Sequence, residues 1–311
     1  MPRFDVTVAG ELNLDLILYG LPEQLAPERE LLADRMMLTL GSSSAIMAHN
    51  LSTLGSAVGF QSRIGDDSLG EIALARLVEG GVDAGKVRRI AASTTTGLTV
   101  ILYHGTWRNI LTYMGTISEL HWDDLDLDYL ADSRHFHLSS FYMQHALRPR
   151  IGELFRCMKA KGLTTSLDTN DDPDDRWSDD LLAVLRHVDV FLPNEREACK
   201  IARTDDLEVA IKKLASLVPL LVVKLGPKGA LAQKGTERVT VASQKVEPVD
   251  TVGAGDSFDA GFLHQFVRGA VLETCLASGN RAGALSTTRP GGTEAFRDAR
   301  HREQFLRERP L

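Results

Sequence analysis

The stretch Val249-Asp-Thr-Val-Gly-Ala-Gly-Asp-Ser-Phe-Asp-Ala-Gly261 decides the fold of this chain. Its Gly-Ala-Gly centre cannot easily join a strand and favours a turn. Behind the turn, Phe258, Phe262 and Phe266 recur at every fourth position, a spacing that predicts a helix with one buried face. Gly269 then marks the end of that helix. A glycine turn therefore opens a buried helix.

Such a turn is suited to binding an anion. Its exposed backbone N–H groups and the positive end of the helix dipole together form a cradle for a phosphate group. We expect this cradle at Gly253, Ala254 and Gly255, with Asp256 beside it in the first helical turn. A carboxylate in that position can accept the proton of an attacking hydroxyl while the amides hold the transferred phosphoryl group.

The alternative interpretation of Asp256 is an acidic residue that only stabilises the helix N-terminus through its dipole. Two better-known phosphate motifs do not apply to this segment. The third glycine of a dinucleotide-binding fingerprint is missing, and no Gly-Lys-Ser/Thr follows as in a Walker loop.

Composition excludes several classes of protein. The 311 residues are 43% hydrophobic and 25% charged, with a net charge of -7, which is typical of a globular chain and argues against nucleic-acid binding. Cys157, Cys199 and Cys275 lack CxxC spacing and are expected to be core thiols in a reducing compartment. No apolar run approaches the roughly 18 residues of a membrane span. We expect a cytoplasmic protein without a membrane partner.

The order of predicted elements indicates an α/β fold. Strands and helices alternate along most of the chain, which implies a mostly parallel sheet covered by helices. The predicted strands are 4–9, 12–19, 33–40, 58–62 and 220–224, and the predicted helices are 42–55, 68–78 and 207–217, with a helix leading into a strand over 184–190.

One segment departs from this alternation. Residues 97–103, a turn at 104–106 and residues 107–113 predict a β-hairpin with no helix after it. We expect 12–40 and 94–116 to form a small β lid over a core made of 1–11, 41–93 and 117–311. The edge strands of this lid are expected to pair two chains into a homodimer.

These motifs resemble those of the ribokinase family, also called the PfkB carbohydrate kinases. The signature matches at Asp250, Thr251, Gly253, Ala254, Gly255, Asp256, Phe258 and Gly261. The resemblance implies a ribokinase-like three-layer α/β core with a β-sheet lid. It also implies an ATP-dependent kinase for a hydroxyl of a small sugar-like substrate, with Asp256 as general base and an anion hole over residues 253–256.

The same resemblance implies a substrate site. The segment Gly10-Glu-Leu-Asn13-Leu-Asp15 is similar to the family's sugar-binding strand, in which the Asn and Asp bind substrate hydroxyls. Without the family, Asp15 is equally well read as a turn aspartate. The further candidates are Gly41 and Ser42 of the family's first signature, Arg108 on the lid hairpin, and Asp168 and Asn170 of an Asp-x-Asn segment.

Nucleotide and metal sites are also implied. The nucleotide candidates are Asn194, Lys224, Gly226, Gly229 and Asn280, and Glu197 is similar to the family residue that orders Mg²⁺ through water. Read alone, Asn194 to Glu197 is one face of a solvated helix. A monovalent cation such as K⁺ is implied beside the anion hole, ringed by Asp250 and the backbone carbonyls of Val252, Ser286, Arg289 and Gly291.

The chain departs from the first signature at two positions. Ser42 replaces the second glycine and Ile46 replaces an asparagine. We expect Ile46 to exchange a hydroxyl contact for an apolar wall, so that the substrate differs from ribose and the common hexoses. Ile46, Met47, Tyr103 and Trp107 could instead line a pocket for a base, which leaves a nucleoside kinase as an alternative. A non-catalytic metabolite sensor is the other alternative, against which the intact cradle and base argue.

Two further patterns are set aside. The acidic run 168–177 lacks the glycine and glutamate of a calcium loop, with Pro173 and Asp179 in their places, and its later aspartates are expected to be solvated. His135 and His137 share one face of a strand but have no third ligand in the sequence, so we expect no metal site there.

Overall fold

The computed structural model describes residues 2–91, 94–104 and 107–311. Its strands are β1 Phe4–Ala9, β2 Leu14–Leu21, β3 Arg35–Leu40, β4 Val58–Gly65, β5 Asp83–Ile90, β6 Leu98–His104, β7 Trp107–Tyr113, β8 Ser133–Leu138, β9 Thr164–Leu167, β10 Val190–Phe191, β11 Leu220–Lys224, β12 Ala230–Lys234 and β13 Glu237–Val241. Its α-helices are α1 Ser43–Thr53, α2 Ser68–Glu79, α3 Leu127–Ala131, α4 Ile151–Ala160, α5 Asp180–Leu185, α6 Glu195–Ala202, α7 Leu207–Leu214, α8 Ala254–Phe266, α9 Leu272–Ser286, α10 Glu294–Arg297 and α11 Ala299–Glu308.

The larger sheet confirms the predicted α/β class. Among the described residues it has nine strands in the order β13-β12-β11-β10-β9-β8-β1-β4-β5. The strands from β11 to β5 in this order are parallel, while β12 and β13 are antiparallel. A parallel sheet needs both faces covered, and β11 is accordingly buried at every position.

Helices cover the two faces of this sheet with separate hydrophobic cores. Leu221 and Val223 belong to a core with Phe155 of α4 and Ile211 of α7. Val222 points to the other face, where it belongs to a core with α1, α2, α8 and α9. Successive side chains of one strand thus fill opposite cores, as the period of two in a strand requires.

The smaller sheet holds the strands β3-β2-β6-β7 in that order. β2 is antiparallel to β3 and parallel to β6, and β6 and β7 form an antiparallel pair. The predicted hairpin turn at 105–106 lies outside the described residues. All seven residues of β7 are exposed. The division of the chain into a core and a lid stays a prediction.

Helix α8 begins directly after the glycine turn and packs closely on α9. The rings of Phe258, Phe262 and Phe266 stack in series, with centroids 6.3 Å and 5.8 Å apart. A Cβ atom added at Gly261 would lie 2.4 Å from the carbonyl oxygen of Ser278 and 2.6 Å from the Cβ of Ala282. The small residue lets the two helix backbones approach each other.

Several details differ from the sequence predictions. The predicted helix 207–217 ends at Leu214. Asp172 is buried instead of solvated, because its carboxylate accepts hydrogen bonds from the backbone N–H groups of Asp174, Arg176 and Trp177. Cys275 is buried, but Cys157 and Cys199 are only half-buried. No helix in the described residues is long and apolar enough to cross a membrane.

Replacing Gly261 with alanine is expected to lower the free energy of unfolding by about 1 to 3 kcal/mol, because the added methyl overpacks the contact between α8 and α9. Gly152→Ala is the matched control, since a Cβ atom there would meet only Val184 Cγ2 at 3.6 Å. Urea unfolding followed by circular dichroism compares the two variants. Equal midpoints would contradict the close approach of the helices.

Candidate active site

The glycine turn leaves three backbone donors open at the head of α8. Gly253 has the left-handed φ of 71°, and no side chain caps the helix. No acceptor among the described residues bonds the N–H groups of Gly253, Gly255 or Asp256. Unpaired donors at a helix N-terminus are suited to a negatively charged ligand.

Packing against Gly292 and α1 supports the left-handed turn. A Cβ atom on Gly253 would lie 2.6 Å from the Cα of Gly292 and 3.2 Å from Ile46 Cγ2. Ile46 is buried and packs against the turn, and the expected apolar wall facing the substrate stays a prediction. Asn50, one helical turn later, donates 2.9 Å to Ser257 Oγ and 3.0 Å to the carbonyl oxygen of Gly292.

Asp256 is buried beside the open donors. Burial and the negative charge of Asp168 raise the pKa of Asp256 to about 6, although Lys224 and hydrogen bonds from Ser43 and Asn170 act to lower it. A carboxylate with such a pKa is ionised at neutral pH and still takes up a proton readily.

Asn170 holds the carboxylate of Asp256 in place. Its Nδ2 donates to Ser43 Oγ at 2.7 Å and to Asp256 Oδ1 at 3.4 Å, while its Oδ1 accepts from the backbone N–H of Ser140 at 3.0 Å. Sequence reasoning missed Ser43, the first residue of α1. A sequence signal for this position was available, because Ser42 is the N-cap residue of α1. Its Oγ accepts a hydrogen bond from the N–H of Ala45, which makes Ser43 the first residue of the helix.

Asp15 is a buried carboxylate without a partner. It is 5% exposed, and no hydrogen-bond donor in the described part of the chain reaches its side chain. Burial and the charges of Asp256 and Asp250 raise its pKa to about 7. A Cβ atom on Gly41 would lie 2.2 Å from Asp15 Oδ1, so the glycine makes room for the carboxylate. The neighbouring Asn13 is also buried and donates to the carbonyl of Leu14 at 3.1 Å.

Lys224 forms a buried ion cluster under the turn. Its Nζ lies 2.6 Å from Asp168 Oδ2 and 3.2 Å from Asp259 Oδ2. Burial acts to lower the pKa of Lys224, but the carboxylates raise it above its ordinary value. Lys224 Nζ also lies 3.6 Å from the position of a Cβ atom on Gly255. A fixed positive charge therefore sits directly beneath the anion-binding turn.

Asn194 and Glu197 interact with each other at the start of α6. Asn194 Oδ1 accepts from the N–H of Glu197 at 2.9 Å, and Glu197 Oε2 accepts from the N–H of Asn194 at 2.8 Å. Burial and the charge of Asp168 raise the pKa of Glu197 to about 7. The solvated helix face of the alternative interpretation is not found for this buried carboxylate.

The other nucleotide candidates meet at one turn. Gly226 opens the turn between β11 and β12, and a Cβ atom on Gly229 would lie 2.1 Å from the carbonyl oxygen of Val241. Asn280 of α9 donates to that same carbonyl at 2.9 Å and to the carbonyl of Ala242 at 3.2 Å. The structure therefore brings these three candidates together around the turn that follows β11.

The carboxylate of the predicted cation ring is engaged by protein donors. Asp250 accepts hydrogen bonds from the hydroxyls of Tyr19 and Tyr103 of the smaller sheet. The other predicted ligands are backbone carbonyls, so the ring itself stays a prediction. Val252 and Gly291 contact Asp250 through their N–H groups.

Arg108 contacts two protein hydroxyls, and its predicted substrate contact stays a prediction. Its guanidinium donates to Tyr103 Oη at 3.2 Å and to Thr251 Oγ1 at 3.0 Å. Trp107 is 70% exposed, and Tyr103 is tied to Asp250. The apolar pocket suggested for a base stays a prediction.

The two strand histidines form a buried chain of hydrogen bonds. His135 bonds Thr164 and Ser166, and His137 bonds Ser166 and Ser139, with distances between 2.6 Å and 2.8 Å. Burial lowers the pKa of both histidines to about 3, so both are neutral. Within the described residues no group of metal-ligating side chains is found.

Comparison with known proteins agrees with this geometry. The model of the pfkB family carbohydrate kinases matches residues 3–299. A sugar kinase of Archaeoglobus fulgidus, described as uncharacterized, is 30% identical over 251 residues, which cover 79% of this chain and 97% of the relative. Adenosine kinase from Sinorhizobium meliloti superimposes with a TM-score of 0.84 at 25% identity, over 97% of this chain and 99% of that protein.

A provisionally assigned ribokinase II from E. coli, solved in complex with ATP and Mg²⁺, superimposes with a TM-score of 0.81 at 26% identity, over 98% of this chain and 99% of that protein. These likenesses confirm the ribokinase-like α/β fold with its separate small sheet. The family model spans almost the whole chain, including the turn at the head of α8. The chain belongs to the pfkB family of carbohydrate kinases and is a phosphotransferase.

Proposed function

We propose that this protein transfers the γ-phosphate of ATP to a hydroxyl of a small sugar-like molecule. One observation carries the proposal: the buried carboxylate of Asp256 lies beside three unpaired N–H groups. Asp15, whose pKa the charge of Asp256 raises, offers a second carboxylate without a partner. The pair supplies an acceptor-binding group and a base within one buried site.

In the proposed mechanism, Asp15 and Asn13 orient the acceptor through its hydroxyls. Asp256 takes the proton of the attacking hydroxyl, and Ser43 and Asn170 hold its carboxylate for that role. The free N–H groups of Gly253, Gly255 and Asp256 stabilise the charge on the transferred phosphoryl group, whereas the N–H of Ala254 donates to the carbonyl of Thr251 at 3.3 Å. Lys224 adds a positive charge below them.

We assign nucleotide binding to Asn194, Glu197, the turn at Gly226 and Gly229, and Asn280 beside that turn. Each oxygen of Glu197 accepts one hydrogen bond from Asn194, at 2.8 Å and 2.6 Å, which leaves lone pairs for a magnesium-bound water. The donor set therefore fits Mg²⁺, which would neutralise charge on the phosphates. The E. coli neighbour that binds ATP and Mg²⁺ supports this assignment.

A sugar acceptor fits the site better than a nucleoside. The acceptor side presents Asn13, Asp15 and Asn170, which are polar groups for hydroxyls, whereas Tyr103 is occupied by Asp250. The likeness to an adenosine kinase keeps the nucleoside alternative in the test. ADP release with a panel of sugars, sugar acids and nucleosides, in Mg²⁺ and ATP, decides between them. Ligand-induced thermal stabilisation without ADP would indicate a sensor instead.

Asp256→Asn is expected to lower kcat at least about a hundredfold, because the amide keeps the size of the side chain but cannot accept the proton. Asp174→Asn is the matched control, since this aspartate is exposed in a surface loop. Coupled ADP assays on both variants make the comparison. Wild-type turnover by Asp256→Asn would refute its role as base.

The activity is expected to depend on pH with an acid limb. Asp256 acts as a base only when ionised, and its pKa is about 6, while that of Asp15 is about 7. kcat/KM for the acceptor should therefore rise between pH 5 and pH 8, in the range set by these two values. A flat profile over that range would contradict the assignment of both carboxylates.

Asp15→Asn is expected to raise KM about tenfold or more while stabilising the fold at pH 8. The folded state holds the proton of Asp15 up to a pKa of about 7, whereas the unfolded state releases it near 3.8, so stability falls from about pH 4 to pH 7 and the full cost is present at pH 8. Removing the charge should add about 1 to 3 kcal/mol at pH 8 and little at pH 4. Thermal unfolding at both pH values measures the difference, and equal shifts would contradict it.

A further inference from the structure

The carboxylate of Asp250 immediately precedes the anion-binding turn and is already fully hydrogen-bonded. Its Oδ1 accepts from Tyr103 Oη and from the N–H of Val252, the latter at 3.0 Å. Its Oδ2 accepts from Tyr19 Oη at 2.8 Å and from the N–H of Gly291 at 2.9 Å. A carboxylate offers about four lone-pair sites. All of them are filled by donors from the described residues.

These contacts do not fit the monovalent cation that the family resemblance implies. A cation needs oxygen atoms with free lone pairs, whereas four donor hydrogens point at this carboxylate. Two of them are the backbone N–H groups of Val252 and Gly291, the residues whose carbonyl oxygens the resemblance assigns to the cation. Burial acts to raise the pKa of Asp250, but the bonds from Tyr103, Val252, Gly291 and Tyr19 bring it below its ordinary value.

The smaller sheet also brings two positively charged side chains to the tyrosines that bond Asp250. The guanidinium of Arg108 donates to Tyr103 Oη at 3.2 Å and to Thr251 Oγ1 at 3.0 Å. The rings of Tyr19 and Tyr103 stack at 5.1 Å, and the guanidinium of Arg35 lies 4.3 Å from the centre of the Tyr19 ring. Tyr19 of β2 and Tyr103 of β6 thus contact the carboxylate, and Arg35 of β3 and Arg108 of β7 contact these tyrosines.

Asp250 in turn links two backbone segments around the anion-binding turn. Its carboxylate holds the N–H of Val252 on one side and the N–H of Gly291 on the other. Gly292, the next residue, lies against Gly253, where a Cβ atom would come within 2.6 Å of its Cα. An ordered Asp250 carboxylate therefore orders the two backbone segments at Val252 and at Gly291. The contact between these segments supports the left-handed conformation of Gly253.

We propose that Tyr19 and Tyr103, with Arg108, are positioning residues that take the place of a monovalent cation at Asp250. The smaller sheet then organises the anion-binding turn by direct hydrogen bonds, and the protein needs no K⁺. The catalytic part of this inference rests on the proposed kinase function. The structural part, that the four lone pairs of the carboxylate are filled by protein donors, is independent of it.

The first test compares K⁺ with other cations on the unmodified protein. Melting temperatures are measured in KCl, NaCl and tetramethylammonium chloride at equal ionic strength, without substrate. The expected result is the same melting temperature in all three salts. The rate of ADP release with the best acceptor of the panel should likewise agree within about twofold among the three salts. A twofold ratio corresponds to a few tenths of a kcal/mol in activation free energy. A rise of melting temperature or rate specific to K⁺ overturns the inference.

The second test removes the two hydroxyls. Tyr19→Phe/Tyr103→Phe leaves two lone pairs of Asp250 open, so kcat should fall at least about tenfold, the effect of losing about 1.4 kcal/mol of support for the turn. K⁺ should now stabilise this variant and restore part of its kcat. The matched control is Tyr113→Phe, whose hydroxyl is exposed on the same sheet and accepts only from Thr95.

The outcomes separate the two proposals. A double variant that keeps wild-type kcat and KM and shows no K⁺ response overturns the role of the tyrosines. If no acceptor releases ADP from the wild-type protein, the kinase proposal fails, but the melting temperatures in the three salts still decide whether Asp250 binds K⁺. Single Tyr19→Phe and Tyr103→Phe variants replace the double variant if it does not fold.

Discussion

The left-handed backbone at Gly253 is the constraint on which the rest of the structure depends. It turns the chain from Asp250 into α8 and leaves the N–H groups of Gly253, Gly255 and Asp256 without acceptors in the part of the chain that the structure describes. A side chain at Gly253 would collide with the backbone of Gly292. The neighbouring elements are therefore arranged to protect this turn, with Ile46 and Asn50 of α1 supporting it from below.

Electrostatics around the turn follow from burial. Asp15, Asp256 and Glu197 all have raised pKa values because few donors compensate the loss of water around them. Lys224 compensates two other carboxylates, Asp168 and Asp259, and places one positive charge under the anion site. The site thus holds carboxylates ready to take up protons at the cost of fold stability, which is common at functional sites.

The smaller sheet is joined to the site through Asp250. Tyr19 and Tyr103 bond its carboxylate, and Arg108 bonds Thr251 at the next position. A sheet that only covered the site would need no such contact with the turn. Hydrogen bonds from this sheet therefore connect its position with the geometry of the glycine turn.

The sequence by itself determined the α/β class, the glycine turn at the start of α8 and the position of Asp256 beside it, because strand and helix periodicity and glycine conformation are local properties of the chain. Only the tertiary structure decided what surrounds these residues. Ile46 lies under the turn, Lys224 pairs with Asp168 and Asp259, and Tyr19 and Tyr103 fill the lone pairs of Asp250. Those contacts join residues up to 231 positions apart, so no local pattern could have announced them.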